Sequence, residues 1–224
     1  MKRIGLVGGL GVGAAIHYYK HLSNAFVARG VQPGLVMSHA DIGRAYTLVQ
    51  QGEMDALAAY LNEHLRILAD AGCDFAAIAA VTPLICAPQL DAISALPRVD
   101  VFDSVNAELK RRGARRVAVL GTQFVMDTDM FGRLDGVEIV KPSAAEAALV
   151  RDNYLIIARM GGVEHADIEG VRAIGKSLAQ AGADAVILAG TELSLAFTEE
   201  NAGFPALDSG RVHIDAIVAR ALDS

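Results

Sequence analysis

Two pairs of similar segments recur along this chain at nearly the same offset, and this duplication limits the possible fold more than any other feature. Residues 2–9, KRIGLVGG, resemble residues 115–122, RRVAVLGT. Residues 71–80, AGCDFAAIAA, resemble residues 181–190, AGADAVILAG. Each half thus carries a strand that ends in a glycine turn, then a helix, an Ala-Gly-x-Asp turn and a second buried strand. The pattern predicts two similar lobes.

Apolar runs rich in Val, Ile, Leu and Ala alternate with longer segments of helical period, which is typical of βαβ units and parallel sheets. The predicted fold class is α/β, with two pseudo-symmetric parallel-sheet lobes. We expect the site in the cleft between them, because open parallel sheets bind ligands beyond the carboxyl ends of their strands. The predicted first lobe is formed by residues 1–98 with 205–224, and the second by residues 99–204.

The boundaries of the individual elements follow from the same patterns. The predicted strands are residues 4–7, 34–39, 75–79, 117–121, 137–140 and 185–189. The predicted helices are residues 14–29, 54–71, 102–112, 144–160, 165–181 and 213–221.

Composition and charge exclude several classes of protein. The chain has 224 residues, 53% of them hydrophobic, and a net charge of -6 without a long run of Lys or Arg, so we expect no nucleic-acid partner. The most apolar stretch, residues 75–87, contains Pro83 and is shorter than the roughly 20 residues that span a bilayer, so we expect no membrane insertion. The opening MKRI leads directly into an apolar strand without the pattern of a signal peptide, which predicts a cytoplasmic protein.

The chain has two cysteines, Cys73 and Cys86, in apolar surroundings. They show no Cys-x-x-Cys spacing and no clustered histidines, so the sequence predicts neither a disulfide nor a zinc site. We interpret both as buried free thiols.

Two kinds of turn follow the predicted strands. The turn GGLGVG at residues 8–13 departs from the G-x-G-x-x-G spacing of dinucleotide sites, and we interpret it as a tight turn whose amides face a carboxylate. Thr82-Pro83 and Thr191-Glu192 occupy equivalent places after the third strand of each lobe. A Thr before Pro predicts a helix N-cap with Pro in the first turn, and contact with substrate is the alternative.

At these residues the sequence resembles the cofactor-independent aspartate/glutamate racemases over nearly the whole chain. Residues 4–10, IGLVGGL, resemble their opening strand and glycine loop, and residues 117–122 resemble their central strand and Gly-Thr turn. Residues 41–44, DIGR, lie where the family has a carboxylate-binding arginine, and residues 208–213, DSGRVH, resemble its closing segment. The resemblance implies a small carboxylate or amino-acid ligand, a homodimer, and neither cofactor nor metal.

The catalytic motifs depart from this family's pattern. The family usually reads Pro-Cys-Asn-Thr after one strand and Gly-Cys-Thr-Glu after its counterpart, where this chain has AAVT at 79–82 and AGTE at 189–192. The family's two thiols flank the substrate's α-carbon, one removing a proton and the other delivering one to the opposite face, which requires groups of matched pKa. Neither Ala80 nor Gly190 can exchange a proton.

The resemblance also implies which residues form the site. The catalytic positions are Ala80 and Gly190, where the cysteines are missing, together with Glu192. Arg159 corresponds to a lysine of the aspartate-specific members and keeps a cation there. The implied substrate-binding residues are Gly9, Leu10, Arg44, Val81, Thr82, Thr122, Arg159 and Thr191.

Other groups near the predicted strand ends are candidates to replace the thiols. Thr82 and Thr191 are very weak bases unless a neighbour activates them, and Cys86 lies about one helical turn beyond Thr82. A His or a shielded Glu could carry out acid–base work at a single site. The titratable candidates are Glu192, His17, His39 and His213.

Three functions stay open on the sequence. The first is a racemase or isomerase acting on a small amino or dicarboxylic acid, against which the loss of both proton carriers argues. The second is a decarboxylase or lyase on the same scaffold, which needs at most one proton donor. The third is a non-catalytic carboxylate-binding protein, which fits the vacant positions most simply.

Overall fold

The computed structural model describes residues 1–160 and 162–223. The chain divides into two compact units: unit 1 comprises Met1–Asp100 and His213–Ser224, and unit 2 comprises Val101–Val212. The strands are β1 Ile4–Gly8, β2 Leu35–His39, β3 Phe75–Ile78, β4 Arg116–Gly121, β5 Glu138–Ile139, β6 Ala185–Ala189 and β7 Ala206–Asp208. The α-helices are α1 Val12–Val27, α2 Ile42–Gln51, α3 Met54–Asp70, α4 Ala87–Ile93, α5 Val101–Arg112, α6 Gln123–Asp127, α7 Ala144–Met160, α8 Ile168–Gln180, α9 Thr191–Ala196 and α10 Ser209–Leu222, and short 3-10 helices cover Thr82–Cys86 and Met130–Gly132.

Unit 1 is built on a parallel sheet of strand order β2-β1-β3. Its central strand β1 is buried at all five residues, because helices cover both faces of a parallel sheet. Most of α10 packs in this unit, where Ile214 and Ile217 join a core with Ile4 and Phe75.

Unit 2 is built on a parallel sheet of strand order β5-β4-β6-β7. Strands β4 and β6 run in register from Val117 opposite Ala185 to Gly121 opposite Ala189. The predicted class, two parallel α/β sheets with interleaved helices, is thus confirmed.

The duplication extends to individual hydrogen bonds. Asp74 follows the first Ala-Gly-x-Asp turn and accepts the backbone N–H of Arg3 at 2.6 Å, where the chain enters β1. Asp184 follows the second turn and accepts the N–H groups of Arg115 and Arg116 at 2.8 and 2.9 Å, where the chain enters β4. These two backbone bonds hold the pKa of Asp184 below its ordinary value. Each unit therefore uses one carboxylate to align two neighbouring strands.

The predicted first lobe included all of residues 205–224, and the structure differs there. Ala206–Asp208 is β7, a strand of the unit 2 sheet, and unit 1 resumes at His213. The physical reason is a repeated backbone bond: the carbonyl of Pro97 accepts from Ala76 at 2.9 Å, and that of Pro205 accepts from Val186 at 2.8 Å. Each proline segment thus lies beside its own sheet, and the chain changes unit only after it.

The predicted strands and helices are all present, with ends displaced by up to four residues. Among the α-helices and strands, five elements had no counterpart in the prediction, namely α2, α4, α6, α9 and β7. They are short or only weakly apolar, so their pattern is less distinct than that of the buried strands. No helix within the described residues has both the length and the hydropathy that a membrane span requires.

Candidate active site

The strands of unit 1 end at Gly8, His39 and Ile78, and the first turn beyond them requires glycine. Gly9 has a φ of +83°, and a Cβ there would lie 2.2 Å from the carbonyl oxygen of Ala40. The next residue, Leu10, has a side chain only 7% exposed. A ligand at this turn would therefore meet its backbone and not the leucine side chain.

Arg44 lies on the first turn of α2, in the region that follows β2. Asp41 caps this helix by accepting the N–H of Gly43 at 2.7 Å, and the Tyr60 hydroxyl accepts the N–H of Asp41 at 2.6 Å. The Arg44 guanidinium is exposed, lies 3.5 Å from Glu63 and stands over the Tyr60 ring at 4.2 Å. Since α2 packs against the 3-10 helix 82–86, Arg44 belongs to the same edge of unit 1 as Thr82.

The turn that follows β3 carries the first vacant position. Ala80, Val81 and Thr82 are all partly buried. The predicted N-cap at Thr82 is wrong: the 3-10 helix begins at Thr82 itself, Val81 precedes it with helical backbone angles, and no side chain caps it. None of the four side chains in 79–82 can titrate. His39 is the last residue of β2, which lies two strand positions from β3, about 10 Å at the usual strand spacing.

Neither cysteine is available to this turn. Both Cys73 and Cys86 are buried and free, as predicted. The Cys86 thiol donates to the carbonyl of Pro83 at 3.2 Å, and burial raises its pKa to about 12. Burial likewise raises the pKa of Cys73. Both are protonated thiols near neutral pH and poor nucleophiles or bases.

In unit 2 the neighbouring strands β4 and β6 end at Gly121 and Ala189, and their following turns lie side by side. Thr122 caps α6 by accepting the N–H of Val125 at 3.3 Å. Thr191 is the first residue of α9, with Gly190 before it and no side-chain cap. The capping interpretation is therefore wrong for Thr191 as well.

The second vacant position, Gly190, is covered by a tyrosine that the sequence did not single out. A Cβ on Gly190 would lie 2.6 Å from both Cε2 and the hydroxyl oxygen of Tyr154. The Tyr154 hydroxyl donates a hydrogen bond to Oε2 of Glu192. Thr191 donates to the same oxygen at 3.4 Å. Burial and the adjacent Glu192 charge raise the pKa of Tyr154 well above its ordinary value.

Arg159 is exposed in the last turn of α7, the helix that carries Tyr154. The two residues are five positions apart, so they lie about 7.5 Å apart along the helix axis. Since α7 packs against α9 and β4, the helix lies beside the turn that contains Gly190 and Glu192.

The histidine candidates lie in unit 1 and have different surroundings. His213 is fully buried, with Nδ1 2.8 Å from the Tyr18 hydroxyl and Nε2 2.9 Å from the carbonyl of Val99. Burial lowers the pKa of His213 to about 4, so it is a neutral structural group at neutral pH. His17 stacks on His21 along α1, and His39 is exposed with its ring beside Gly9.

The sequence-predicted residues thus fall into two sets, one at each sheet. The unit 1 set is Gly9, Leu10, Arg44, Ala80, Val81 and Thr82, and the unit 2 set is Thr122, Arg159, Gly190, Thr191 and Glu192. Sequence reasoning missed Tyr154, which lies 36 residues before Gly190 on a helix. The one signal for it was Gly190 itself, since a glycine at that position leaves room for a neighbouring side chain.

Comparison with known proteins agrees with this architecture. The family model for Asp/Glu/hydantoin racemase matches residues 7–217. The chain belongs to this racemase family. A Yersinia pestis structure assigned to the Asp/Glu racemases aligns over 100% of both chains at 23% identity and a TM-score of 0.89. An aspartate racemase homologue from Pyrococcus horikoshii aligns over 100% of both chains at 26% identity and 0.83.

A more distant structure carries another chemistry on the same fold. Arylmalonate decarboxylase aligns with 99% of this chain and 93% of its own at 16% identity and a TM-score of 0.58. The racemase family fold is therefore found in proteins named for racemisation and for decarboxylation.

Proposed function

We propose that this protein is a cofactor-independent enzyme that acts on a small amino or dicarboxylic acid and transfers a proton on one side of the α-carbon only. The observation that carries the proposal is the difference between the two vacant positions. The turn at Ala80 holds no titratable side chain, whereas Gly190 is covered by the hydrogen-bonded pair of Tyr154 and Glu192. Such an enzyme would catalyse a decarboxylation or another lyase reaction, although it belongs to a racemase family.

The thiol chemistry of the family gives little support to racemisation here. Two-sided proton exchange needs one base and one acid on opposite faces of the substrate. The only cysteines of the chain are Cys73 and Cys86, and both are buried with raised pKa values. A thiolate at either position would be costly to form.

The charges at the sheet edges favour a carboxylate ligand. Arg44 in unit 1 and Arg159 in unit 2 present exposed guanidinium groups, which bind carboxylates through paired hydrogen bonds. The Tyr60 ring orients the Arg44 guanidinium. Each of these guanidinium groups can bind one carboxylate.

One-sided chemistry also has a counterpart on this fold, since arylmalonate decarboxylase shares it. In a decarboxylation the departing CO2 leaves its bonding electron pair on the α-carbon, and one proton then adds there. A single donor is enough, and no base has to remove a proton from the opposite face.

The test combines two assays in deuterium oxide. Proton NMR on both enantiomers of aspartate and glutamate measures α-proton exchange, and CO2 release is measured on methylmalonate and phenylmalonate. We expect no exchange on either amino acid, and from at least one malonate a product that carries deuterium in a single configuration. Exchange of both enantiomers of one amino acid at an ordinary enzymatic turnover, on the order of 1 per second or faster, would contradict the proposal.

A non-catalytic carboxylate-binding protein is the second candidate. It is favoured by the inert side chains at 79–82 and by the raised pKa of Tyr154, which makes that phenol a poor base. Calorimetric binding of a malonate without any CO2 release or exchange would support this candidate over the first.

A further inference from the structure

The Tyr154 ring occupies the space in which a side chain at position 190 would begin. An added Cβ would lie 2.6 Å from Cε2 and from the hydroxyl oxygen, and 3.0 Å from Cζ. Ordinary contacts to a Cβ are about 3.4 Å or longer. The backbone does not impose glycine here, because φ at Gly190 is 166°, an extended value open to any residue. Gly190 is therefore required by the tyrosine and not by the turn.

Tyr154 is held in this place from two sides. Its ring packs against the apolar core of unit 2, and its hydroxyl donates to Glu192, the residue two positions after Gly190. A flexible side chain could otherwise move aside for a larger residue at 190. The hydrogen bond and the core packing both oppose that movement.

The phenol is a proton carrier in its protonated form. Burial and the Glu192 charge raise the pKa of Tyr154 well above its ordinary value, so the hydroxyl keeps its proton throughout the neutral range. A group of this kind cannot remove an α-proton readily, yet it can donate one to a carbanion, which is a far stronger base.

We propose that Tyr154 takes the place of the second family thiol and is the proton donor of the reaction, with Glu192 as the residue that positions its hydroxyl. This inference rests on the proposed function. When the bond to the departing carboxylate breaks, CO2 leaves and the electron pair remains on the α-carbon as an enediolate. The Tyr154 hydroxyl then leaves its hydrogen bond with Glu192, its O–H bond breaks, and the proton bonds to that carbon. Solvent water returns a proton to the phenolate, which leaves hydroxide in the solvent.

A donor on one element only has a consequence for stereochemistry. The proton always arrives from the side of unit 2 that carries Tyr154, so the product should form in one configuration. The substrate class follows as well: an α-substituted dicarboxylic acid, which can lose one carboxylate and keep the other for a guanidinium.

The decisive variant is Tyr154→Phe, which keeps the ring and removes only the hydroxyl. We expect CO2 release from the active malonate to fall at least 100-fold in kcat, as is usual for loss of a general acid, while KM changes less than about threefold. Tyr19→Phe is the matched control, since Tyr19 is exposed on α1, and it should keep wild-type activity. A Tyr154→Phe protein with more than half of the wild-type kcat would overturn the proposal.

Glu192→Gln tests the positioning role separately. Glutamine still accepts the Tyr154 hydrogen bond but carries no charge, so the pKa of Tyr154 should fall and the alkaline limb of the pH–rate profile should move to lower pH. A variant whose activity drops while its pH profile stays unchanged would assign Glu192 a purely structural role.

A thiol assay tests whether Tyr154 lies at the ligand site even when no malonate is turned over. Its failure can therefore be distinguished from failure of the proposed function. Gly190→Cys is compared with Gly190→Cys/Tyr154→Ala for the rate of iodoacetamide labelling, measured by intact mass, with and without sodium malonate. We expect the introduced thiol to react faster in the double variant and to be protected there by malonate, as a thiol at a ligand site should be. Labelling without any malonate protection would remove position 190, and Tyr154 with it, from the site.

Discussion

The two turns that follow β3 and β6 descend from one repeated segment, yet they offer different chemistry. The segments that lead into the two turns are alike, because Asp74 and Asp184 make the same strand-aligning hydrogen bonds in units 1 and 2. Their ends differ: Ala80 is followed by Val81 and Thr82 without an acid–base group, while Gly190 lies under Tyr154 and next to Glu192. The two units thus share the backbone hydrogen bonds on which each strand depends, and they differ in the side chains at the edge of the sheet.

The largest effect should come from removing the Tyr154 side chain once both thiols are restored. We expect Ala80→Cys/Gly190→Cys to show little α-proton exchange on aspartate, because the Tyr154 ring occupies the space of the second side chain. Adding Tyr154→Ala should raise exchange at least 100-fold, because the thiol at position 190 then has the space to act as the second proton carrier. NMR in deuterium oxide measures the rate, and circular dichroism checks that both variants fold.

The proposed difference between the two turns would be contradicted if the double variant exchanged protons as fast as the triple variant. Tyr154 would then not obstruct position 190. Exchange by the unmodified protein, at rates that its thiol-restored variants do not exceed, would show that another pair of groups does the work.

Acid should destabilise unit 1 through His213. Burial lowers the pKa of His213 to about 4 in the folded protein, whereas the unfolded value is near 6.5. The unfolded chain therefore binds the extra proton between these values, so the stabilisation is complete above pH ~6.5 and is lost as the pH falls toward 4, by about 3 kcal/mol. Urea unfolding measured between pH 7 and pH 5 would detect most of this loss of unfolding free energy.

The matched variants for this experiment are His213→Gln and His165→Gln. His213→Gln should be less stable at pH 7, because it loses hydrogen bonds to Tyr18 and Val99, and its slope between pH 7 and pH 5 should be much shallower. His165 is exposed in unit 2, and its variant should keep the full slope. Equal slopes in wild type and His213→Gln would rule out His213 as the titrating group.

Adding one small group at each vacant position should affect stability unequally. We expect Gly190→Ala to cost about 1–3 kcal/mol of unfolding free energy, because its Cβ must displace Tyr154. Ala80→Ser, at a partly exposed turn, should change stability by less than about 0.5 kcal/mol. Urea denaturation of the two variants beside wild type checks this, and equal losses would mean that the two turns are packed alike.

The smallest stability effect should be at Arg44. Its ion pair with Glu63 is exposed and 3.5 Å long, so Arg44→Ala should alter the unfolding free energy by less than about 0.5 kcal/mol. Its affinity for a dicarboxylate should nevertheless fall about tenfold if the guanidinium binds the ligand. Calorimetry with malonate separates the two effects, and Glu63→Gln is the control that should keep or improve affinity. Unchanged affinity in Arg44→Ala would remove this arginine from the site.

The buried strands could be predicted closely because their pattern is local. The segment 4–7 is predicted and Ile4–Gly8 observed, and 185–189 is predicted and observed as Ala185–Ala189. The boundary near residue 205 was not predicted, and the equivalence of Pro97 and Pro205 became evident only from their backbone hydrogen bonds. A three-residue strand such as β7 leaves too few alternating positions for its pattern to be recognised.

The helix starts after β3 and β6 also depended on more than local sequence. Thr82 and Thr191 have the residue type of an N-cap, yet each lies inside its helix as the first residue. The residue before each one is Val81 or Gly190, and neither has a side chain that can cap a helix. Residue type sets a preference at a helix end, and the path of the preceding strand can override it.

The sequence by itself determined the α/β class and the racemase family, and it predicted the duplication and the loss of both thiols, because these follow from residue identity and short-range periodicity. Only the tertiary structure brought Tyr154 onto Gly190. Tyr154 belongs to α7 and Gly190 to the turn between β6 and α9, and their contact exists because α7 packs against α9 and β4. Such packing depends on the fit of whole surfaces, so no motif in either segment predicts it.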